Sequence, residues 1–155
     1  MPELQHGDLI SNLFGSLGRF RRQVRRLAGG SFEQSNLSGS QAEFLRLIGR
    51  NPGISVKEAA AELGLVANSV STFVTTLAGA DLLVRQKDPD DRRVGRLTLT
   101  VDAQRVADET RQRRHELLSF ALNSLSEDER SDLDRGVRVL AKLTDILHEQ
   151  EESEK

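Results

Sequence analysis

Two short alternating segments around a turn constrain the fold of this 155-residue chain more than any other feature. Residues 82–86 and 94–100 predict two strands, since Leu97 and Leu99 alternate with polar residues in the second. The Asp-Pro-Asp sequence at 88–90 predicts the turn between them. The segment therefore predicts a β-hairpin with a charged tip.

Capping and turn residues mark a pair of helices directly before the hairpin. Ser55, followed three residues later by Glu58, is a capping box and predicts a helix start. Gly64 ends that helix, and a second helix is predicted after Leu65, running to about Ala80. A helix, a short glycine-containing turn and a second helix form the helix-turn-helix pattern.

Further helices are predicted on both sides of this region from apolar spacings of three and four. The predicted fold is mostly α with a small β wing, a winged helix-turn-helix plus a helical dimerisation region, in the order α-α-β-α-α-β-β-α-α. The additional elements are helices over about 8–28, from Ser38 or Ser40, from Asp102 and after Ser126, and a one- or two-residue strand at Ile54.

The predicted organisation is a winged lobe over residues 38–101 and a helical region formed by residues 1–30 and 102–150. Residues 151–155 are expected to form a fraying, solvated tail. The first and last helices carry more apolar positions than a small lobe can cover, which favours a symmetric dimer. Closure of an intramolecular bundle is the alternative. The positions are Leu9, Leu13, Leu17, Leu133, Val137, Leu140 and Leu147.

Residue usage excludes several classes of site. The chain has no cysteine, which excludes disulfides and thiol-based redox sensing. The three histidines lack spaced metal-ligating partners, so we predict neither a metal nor another cofactor. No phosphate-binding loop, dinucleotide fingerprint or nucleophile elbow occurs, so we predict no enzyme activity.

Charge is unevenly distributed along a chain whose formal net charge is only −2. Residues 1–30 hold five arginines against two acids, whereas residues 126–155 hold ten acids against five bases. Any basic surface must therefore be local. No apolar run approaches the roughly 18 residues that span a bilayer, and the first ten residues lack a signal-peptide pattern. We therefore predict a cytoplasmic protein with no membrane partner.

The second helix of the pair has a polar face suited to the DNA major groove. Its apolar face is defined by Val70, Phe73, Val74 and Leu77. Short side chains with hydrogen-bonding groups can enter the groove and meet base edges or phosphates. A solvated helix face is the alternative. The polar residues are Asn68, Thr72 and Thr75, flanked by Ser69, Ser71 and Thr76.

The hairpin tip carries paired arginines, Arg92 and Arg93. Arginine suits insertion into a narrow minor groove, where the negative potential is concentrated. Carboxylates beside phosphate would repel it unless they were paired, so we expect Asp91 to hold an arginine in place. The alternative is an ordinary charged hairpin with its arginines paired internally. Three further bases lie in the strands: Arg85, Lys87 and Arg96.

The stretch LGLVANSVSTFVTTLAGADLLVRQKDPDDRRVGRLTLT closely resembles the recognition helix and wing of MarR-type transcriptional regulators. The resemblance covers nearly the whole chain, and the D-x-x-D-R-R wing followed by L-T-L-T is its most specific part. It implies that Arg93 enters the minor groove and that Asp91 is its intramolecular partner. It implies a major-groove face formed by Asn68, Ser69, Ser71, Thr72 and Thr76.

The resemblance also implies a homodimer on a pseudo-palindromic double-stranded DNA operator, acting as a ligand-responsive repressor. A small, often aromatic effector is implied between the dimerisation helices and the DNA-binding lobe. Candidate pocket residues are Phe14, Phe20, Phe44 and Phe120, for each of which a core position is the alternative.

The recognition helix departs from the family pattern, because residues 66–80 contain no Lys or Arg. A bidentate arginine contact to guanine is therefore unavailable from this helix. We expect the wing and the helix N-terminus to supply most of the phosphate affinity, with modest or A·T-favouring base readout. An alternative function is a winged-helix module that binds protein and not DNA.

Overall fold

A computed structural model describes residues 6–30, 32 and 36–153. The described residues form six helices and three strands, which confirms the predicted mostly α fold with a small β wing. The elements are α1 (His6–Ala28), α2 (Gly39–Arg50), β1 (Ile54–Ser55), α3 (Val56–Glu62), α4 (Ala67–Gly79), β2 (Leu83–Lys87), β3 (Gly95–Leu99), α5 (Val101–Asn123) and α6 (Glu127–Ser153).

Capping residues set the starts of the helices in the lobe. Ser38, rather than Ser40, caps α2, and its hydroxyl accepts from the Gln41 amide at 3.1 Å. Ser55 caps α3 in the same way, with its hydroxyl 3.1 Å from the Glu58 amide. Each box satisfies two amides that would otherwise lack a partner at the helix start.

Strand β3 is the centre of a three-stranded antiparallel sheet in the order β1-β3-β2. Ile54 pairs with Leu97, and Leu83 pairs with Leu99, while Lys87 pairs with Gly95 next to the hairpin tip. The residues of β3 alternate between buried and half-buried positions. The alternation fixes the register, because a one-residue slip would turn the leucines to solvent.

The core of the lobe lies between α2, α4 and the sheet. Phe44 is fully buried and meets Phe73 of α4 edge-on, with ring centroids 5.7 Å apart and planes at 66°. Aromatic pairs prefer such an arrangement. The contact holds one face of α4 against the core and leaves the other face outside. The largest fully buried aliphatic residues are Leu45, Ile48, Val70, Leu77 and Leu97.

The chain divides into two compact units, residues 1–115 and 116–155, with the boundary inside α5. The first unit is larger than the predicted lobe because α1 and the start of α5 are bonded into it. Arg113 Nε donates to the Ala28 carbonyl oxygen at 3.1 Å, and Gln104 Nε2 donates to that of Gly49 at 3.0 Å.

The fraying tail predicted over residues 151–155 stays a prediction. Helix α6 continues through Ser153, whose hydroxyl donates to the Glu149 carbonyl oxygen at 2.8 Å. Residues 154–155, and residues 1–5 of the predicted helical region, lie outside the described residues. Within the described part of the chain, no helix is long and apolar enough to cross a membrane.

Candidate nucleic-acid interface

Helix α4 presents an apolar face to the core and a polar face to solvent. Val70, Val74 and Leu77 are buried on the apolar face. Of the six polar residues predicted to contact DNA from α4, five are exposed and Ser69 is half-buried. The exposed residues are Asn68, Ser71, Thr72, Thr75 and Thr76.

The hydroxyl groups of two threonines on the polar face donate hydrogen bonds to backbone carbonyl oxygens within α4. Thr72 Oγ1 donates to the Asn68 carbonyl oxygen at 3.0 Å, and Thr75 Oγ1 donates to that of Ser71 at 3.0 Å. Each hydroxyl keeps only its acceptor lone pairs, alongside its methyl group. Such a side chain can accept from a base amino group or pack on the thymine methyl.

The N-terminus of α4 begins at an exposed apolar residue. Val66 is the N-cap, is 69% exposed and forms no side-chain capping bond. The first amides of a helix have no partner within the helix and attract anions. These amides are therefore available to a phosphate oxygen beside the polar face.

The carboxylates of the hairpin tip stabilise the turn by accepting hydrogen bonds from backbone amides. Asp88 Oδ1 accepts from the amides of Asp90 and Asp91 at 2.8 and 3.0 Å. Asp91 Oδ1 accepts from the Arg93 amide at 3.0 Å, and the Asp91 carbonyl accepts from the Val94 amide at 2.9 Å. The carboxylates thus shape the tip before any partner arrives.

Asp91 has a different contact from the one that we expected. We predicted that its carboxylate would hold an arginine side chain, but it holds the Arg93 backbone. Among the described residues, neither Asp91, Arg92 nor Arg93 forms a salt bridge. Both arginine side chains are exposed, so their charges remain available to a partner.

Arg96 ties the base of the hairpin to the start of α3. Its Nε lies 2.6 Å from Asp88 Oδ2, and its guanidinium lies 3.6 Å from Glu58 Oε2. It also donates to the Gly53 carbonyl oxygen at 3.4 Å. The bond from Arg96 and the amides of Asp91 and Asp90 lower the pKa of Asp88, which keeps its carboxylate charged. The Arg96–Asp88 pair matches the alternative of a hairpin with arginines paired internally. Sequence reasoning missed the contacts to Glu58 and Gly53, since they depend on the register that places Arg96 opposite Ser55.

The Arg85 side chain extends along the hairpin, from its pairing with Leu97 toward Gly95. A Cβ atom at Gly95 would lie 2.6 Å from Arg85 Nε, so the arginine side chain passes over the glycine. Glycine is the residue that leaves room for this crossing. Arg92 and Arg93 are the exposed cations of the turn itself, while Arg85 and Lys87 are exposed in β2 and Arg96 is half-buried in β3.

The four phenylalanines predicted to line a ligand pocket occupy different environments. Phe44 belongs to the core of the lobe. Phe14 and Phe20 are exposed on α1, and Phe120 is exposed in the second unit. Across residues 6–30, 32 and 36–153, no group of three or more His, Cys, Asp or Glu side chains could hold a metal ion.

Known proteins resemble this chain in the sequence of the lobe and in the fold. The MarR family model matches residues 35–94. Streptococcus pneumoniae FabT, solved in complex with DNA, superposes with a TM-score of 0.74 at 18% identity, over 92% of this chain and 97% of FabT.

Two further structures show the same fold. A MarR-like transcriptional regulator from Thermotoga maritima gives a TM-score of 0.71 at 22% identity, over 86% of this chain and 95% of its own. Streptomyces coelicolor PcaV, solved with its natural ligand, gives a TM-score of 0.53 at 24% identity. The match covers 83% of this chain and 91% of PcaV. No curated protein matches the sequence. The predicted resemblance is confirmed: residues 35–94 match the MarR family, and the chain has the winged-helix fold of MarR-type transcriptional regulators.

Proposed function

We propose that this chain is a homodimeric, sequence-specific transcriptional regulator that binds double-stranded DNA. Helix α4 enters the major groove, and Arg93 enters the adjacent minor groove. One observation carries the proposal: the same lobe exposes an uncharged polar helix face and a hairpin tip with two arginines that form no salt bridge with any residue that the structure describes. The proposal includes a cytoplasmic repressor that responds to a small ligand.

The polar face of α4 favours A·T-containing sites over guanine-rich ones. Asn68 can pair with adenine through two hydrogen bonds, and the threonine methyl groups can pack on thymine. Residues 66–80 offer no cation for the guanine edge. Phosphate affinity then comes from Arg92, Arg93 and the uncapped amides at the start of α4.

Exposed apolar side chains support a dimer. On α1, Leu9 and Leu17 are 54% and 37% exposed, and on α6, Leu133 and Leu147 are 47% and 65% exposed. Large apolar side chains that repeat along a helix without cover mark an interaction surface. A two-fold dimer would cover them and present two α4 helices to half-sites about one DNA turn, ~34 Å, apart.

The proposed function predicts strongly salt-dependent binding by a dimer. We expect sedimentation to give twice the chain mass. We also expect fluorescence anisotropy on a duplex selected from a random pool to show affinity falling steeply between about 50 and 200 mM salt. A dimer that neutralises about six phosphates should give a log–log slope near −5.

A shuffled duplex of the same composition is the control for sequence specificity. Equal affinity for both duplexes would contradict specific recognition. No binding at the lower salt would favour the alternative function, a winged-helix module that binds protein. A selected motif specified strictly by guanines would contradict the readout proposed for α4.

Asp91→Ala is expected to weaken DNA binding although it removes a negative charge beside the phosphates. Loss of the carboxylate frees the Arg93 amide, so the wing tip no longer holds Arg93 in one position. We expect a loss of roughly 1 kcal/mol, the size of one hydrogen bond, measured by anisotropy on the selected duplex.

Asp90→Ala is the matched control, because it removes the same charge one residue away. The Asp90 backbone amide donates to Asp88, and this bond survives the substitution. We expect Asp90→Ala to leave affinity unchanged or slightly tighter. If Asp91→Ala tightens binding as much as Asp90→Ala does, Asp91 acts only through its charge.

A further inference from the structure

A cavity of about 180 Å³ in the first unit is lined by eight residues of α1, α2 and α5, five of which are arginines. Its volume is below the roughly 300–1,000 Å³ of pockets for drug-sized ligands. The lining residues are Arg21, Glu43, Arg46, Gly49, Arg50, Ala107, Arg111 and Arg114.

The residues that line this cavity carry more positive than negative charge. Arg111 has a salt bridge with Asp108 outside the lining set. In the described part of the chain the other four arginines form no salt bridge, and Glu43 is the acid among the lining residues. These four are Arg21, Arg46, Arg50 and Arg114.

The protonated form of Arg46 is disfavoured in this arrangement. Burial lowers the pKa of its guanidinium, and the charges of Arg114, Arg21 and Arg50 lower it further, against the opposing effect of Glu43. Arginine stays protonated even so, so the free protein retains the repulsion. Sites that cost stability in the free protein are often functional.

Neighbouring contacts hold the wall of the cavity in shape. Gln104 Nε2 bridges the Gly49 carbonyl oxygen and Asp108 Oδ1, each at 3.0 Å. A Cβ atom at position 49 would lie 3.0 Å from Leu99 Cδ1 and 3.5 Å from Ala107 Cβ. Close packing therefore fixes α2 against α5 and leaves the guanidinium groups around a defined space.

We propose that this cavity binds a compact oxyanion carrying at least two negative charges. Guanidinium groups present paired N–H donors that match the oxygens of phosphate and carboxylate. Four guanidinium groups can balance two or more negative charges. A monocarboxylate carries one negative charge and would leave positive charge in the cavity unbalanced. This ligand class differs from the aromatic effector that the sequence resemblance implies. Anion binding by the cavity does not depend on the proposed function in DNA binding.

Calorimetric titration of the full chain without DNA tests the site, with inorganic pyrophosphate and citrate as probes at constant ionic strength. We expect saturable binding of one anion per chain. Tighter pyrophosphate would indicate a phosphate ligand, and tighter citrate a polycarboxylate. Benzoate serves as the singly charged aromatic probe, and preferential binding of benzoate would overturn the proposal.

Arg46→Gln and, separately, Arg114→Gln are expected to weaken anion binding about 10- to 100-fold, the loss expected for a charge-assisted hydrogen bond. Arg105→Gln is the matched control: Arg105 lies on α5, is paired with Glu109 and does not line the cavity. It should leave the affinity unchanged.

The melting temperature of the Arg46→Gln variant distinguishes a role of Arg46 in anion binding from a role in stability. Removal of Arg46 relieves repulsion, so we expect Arg46→Gln to melt no lower than the unsubstituted chain while losing the anion. Absence of saturable binding to either polyanion, or equal losses in Arg105→Gln and Arg114→Gln, would overturn the site. Neither outcome bears on DNA binding, which is measured separately.

Discussion

Phe44→Ala is expected to lower the free energy of unfolding by about 3–5 kcal/mol. The ring is fully buried, and its removal leaves a void between α2 and α4 where Phe73 loses its edge-on partner. Urea unfolding followed by circular dichroism measures the loss. DNA affinity should fall as well, since Phe73 helps to hold α4 in place.

Phe44→Leu provides the graded control for this prediction. Leucine keeps much of the ring volume and should cost less than half as much as alanine. A loss below about 1 kcal/mol for Phe44→Ala would show that Phe44 does not belong to the core. The sequence resemblance made Phe44 a candidate pocket residue, and a small loss would favour that role.

Arg93→Ala is expected to weaken DNA binding by about 1–3 kcal/mol and to leave the fold intact. The Arg93 side chain is exposed, and its contact within the tip is made by its backbone amide, which alanine retains. On the proposed function, the lost energy is that of the guanidinium in the minor groove. Anisotropy on the selected duplex gives the affinity, and thermal melting checks the fold.

Arg130→Ala is the control for Arg93→Ala, since it removes an exposed arginine from α6 and changes net charge equally. Its affinity should stay within about twofold of the unsubstituted chain, a difference below about 0.5 kcal/mol. If Arg93→Ala binds as tightly as Arg130→Ala, with unchanged melting, the wing does not enter the groove.

Local signals predicted most of the fold. The serine boxes before α3 and α6 each lie within four residues, so the sequence alone marks those helix starts. The strand alternation around Leu97 predicted which side of β3 faces the core. The polar face of α4 followed from helical geometry once its apolar face was known.

Contacts that depend on tertiary geometry escaped prediction. Arg96 reaches Gly53, 43 residues earlier, because the sheet register brings them together. The arginine cavity joins residues of α1, α2 and α5, and no local pattern links Arg21 to Arg114. The sequence placed Asp91 beside the arginines but did not indicate that its carboxylate accepts from the Arg93 backbone amide, a bond that depends on the conformation of the turn.

The tether from Arg96 to Asp88 and Glu58 has a consequence for the architecture of the operator. The contacts of Arg96 with Glu58 and the Gly53 carbonyl oxygen restrict movement of the wing base relative to the start of α3. In the proposed complex, the separation between the groove positions of α4 and Arg93 is therefore set within the protein. The proposed function then requires a half-site with matching groove features at that separation, so we expect the spacing within each half-site to be restricted.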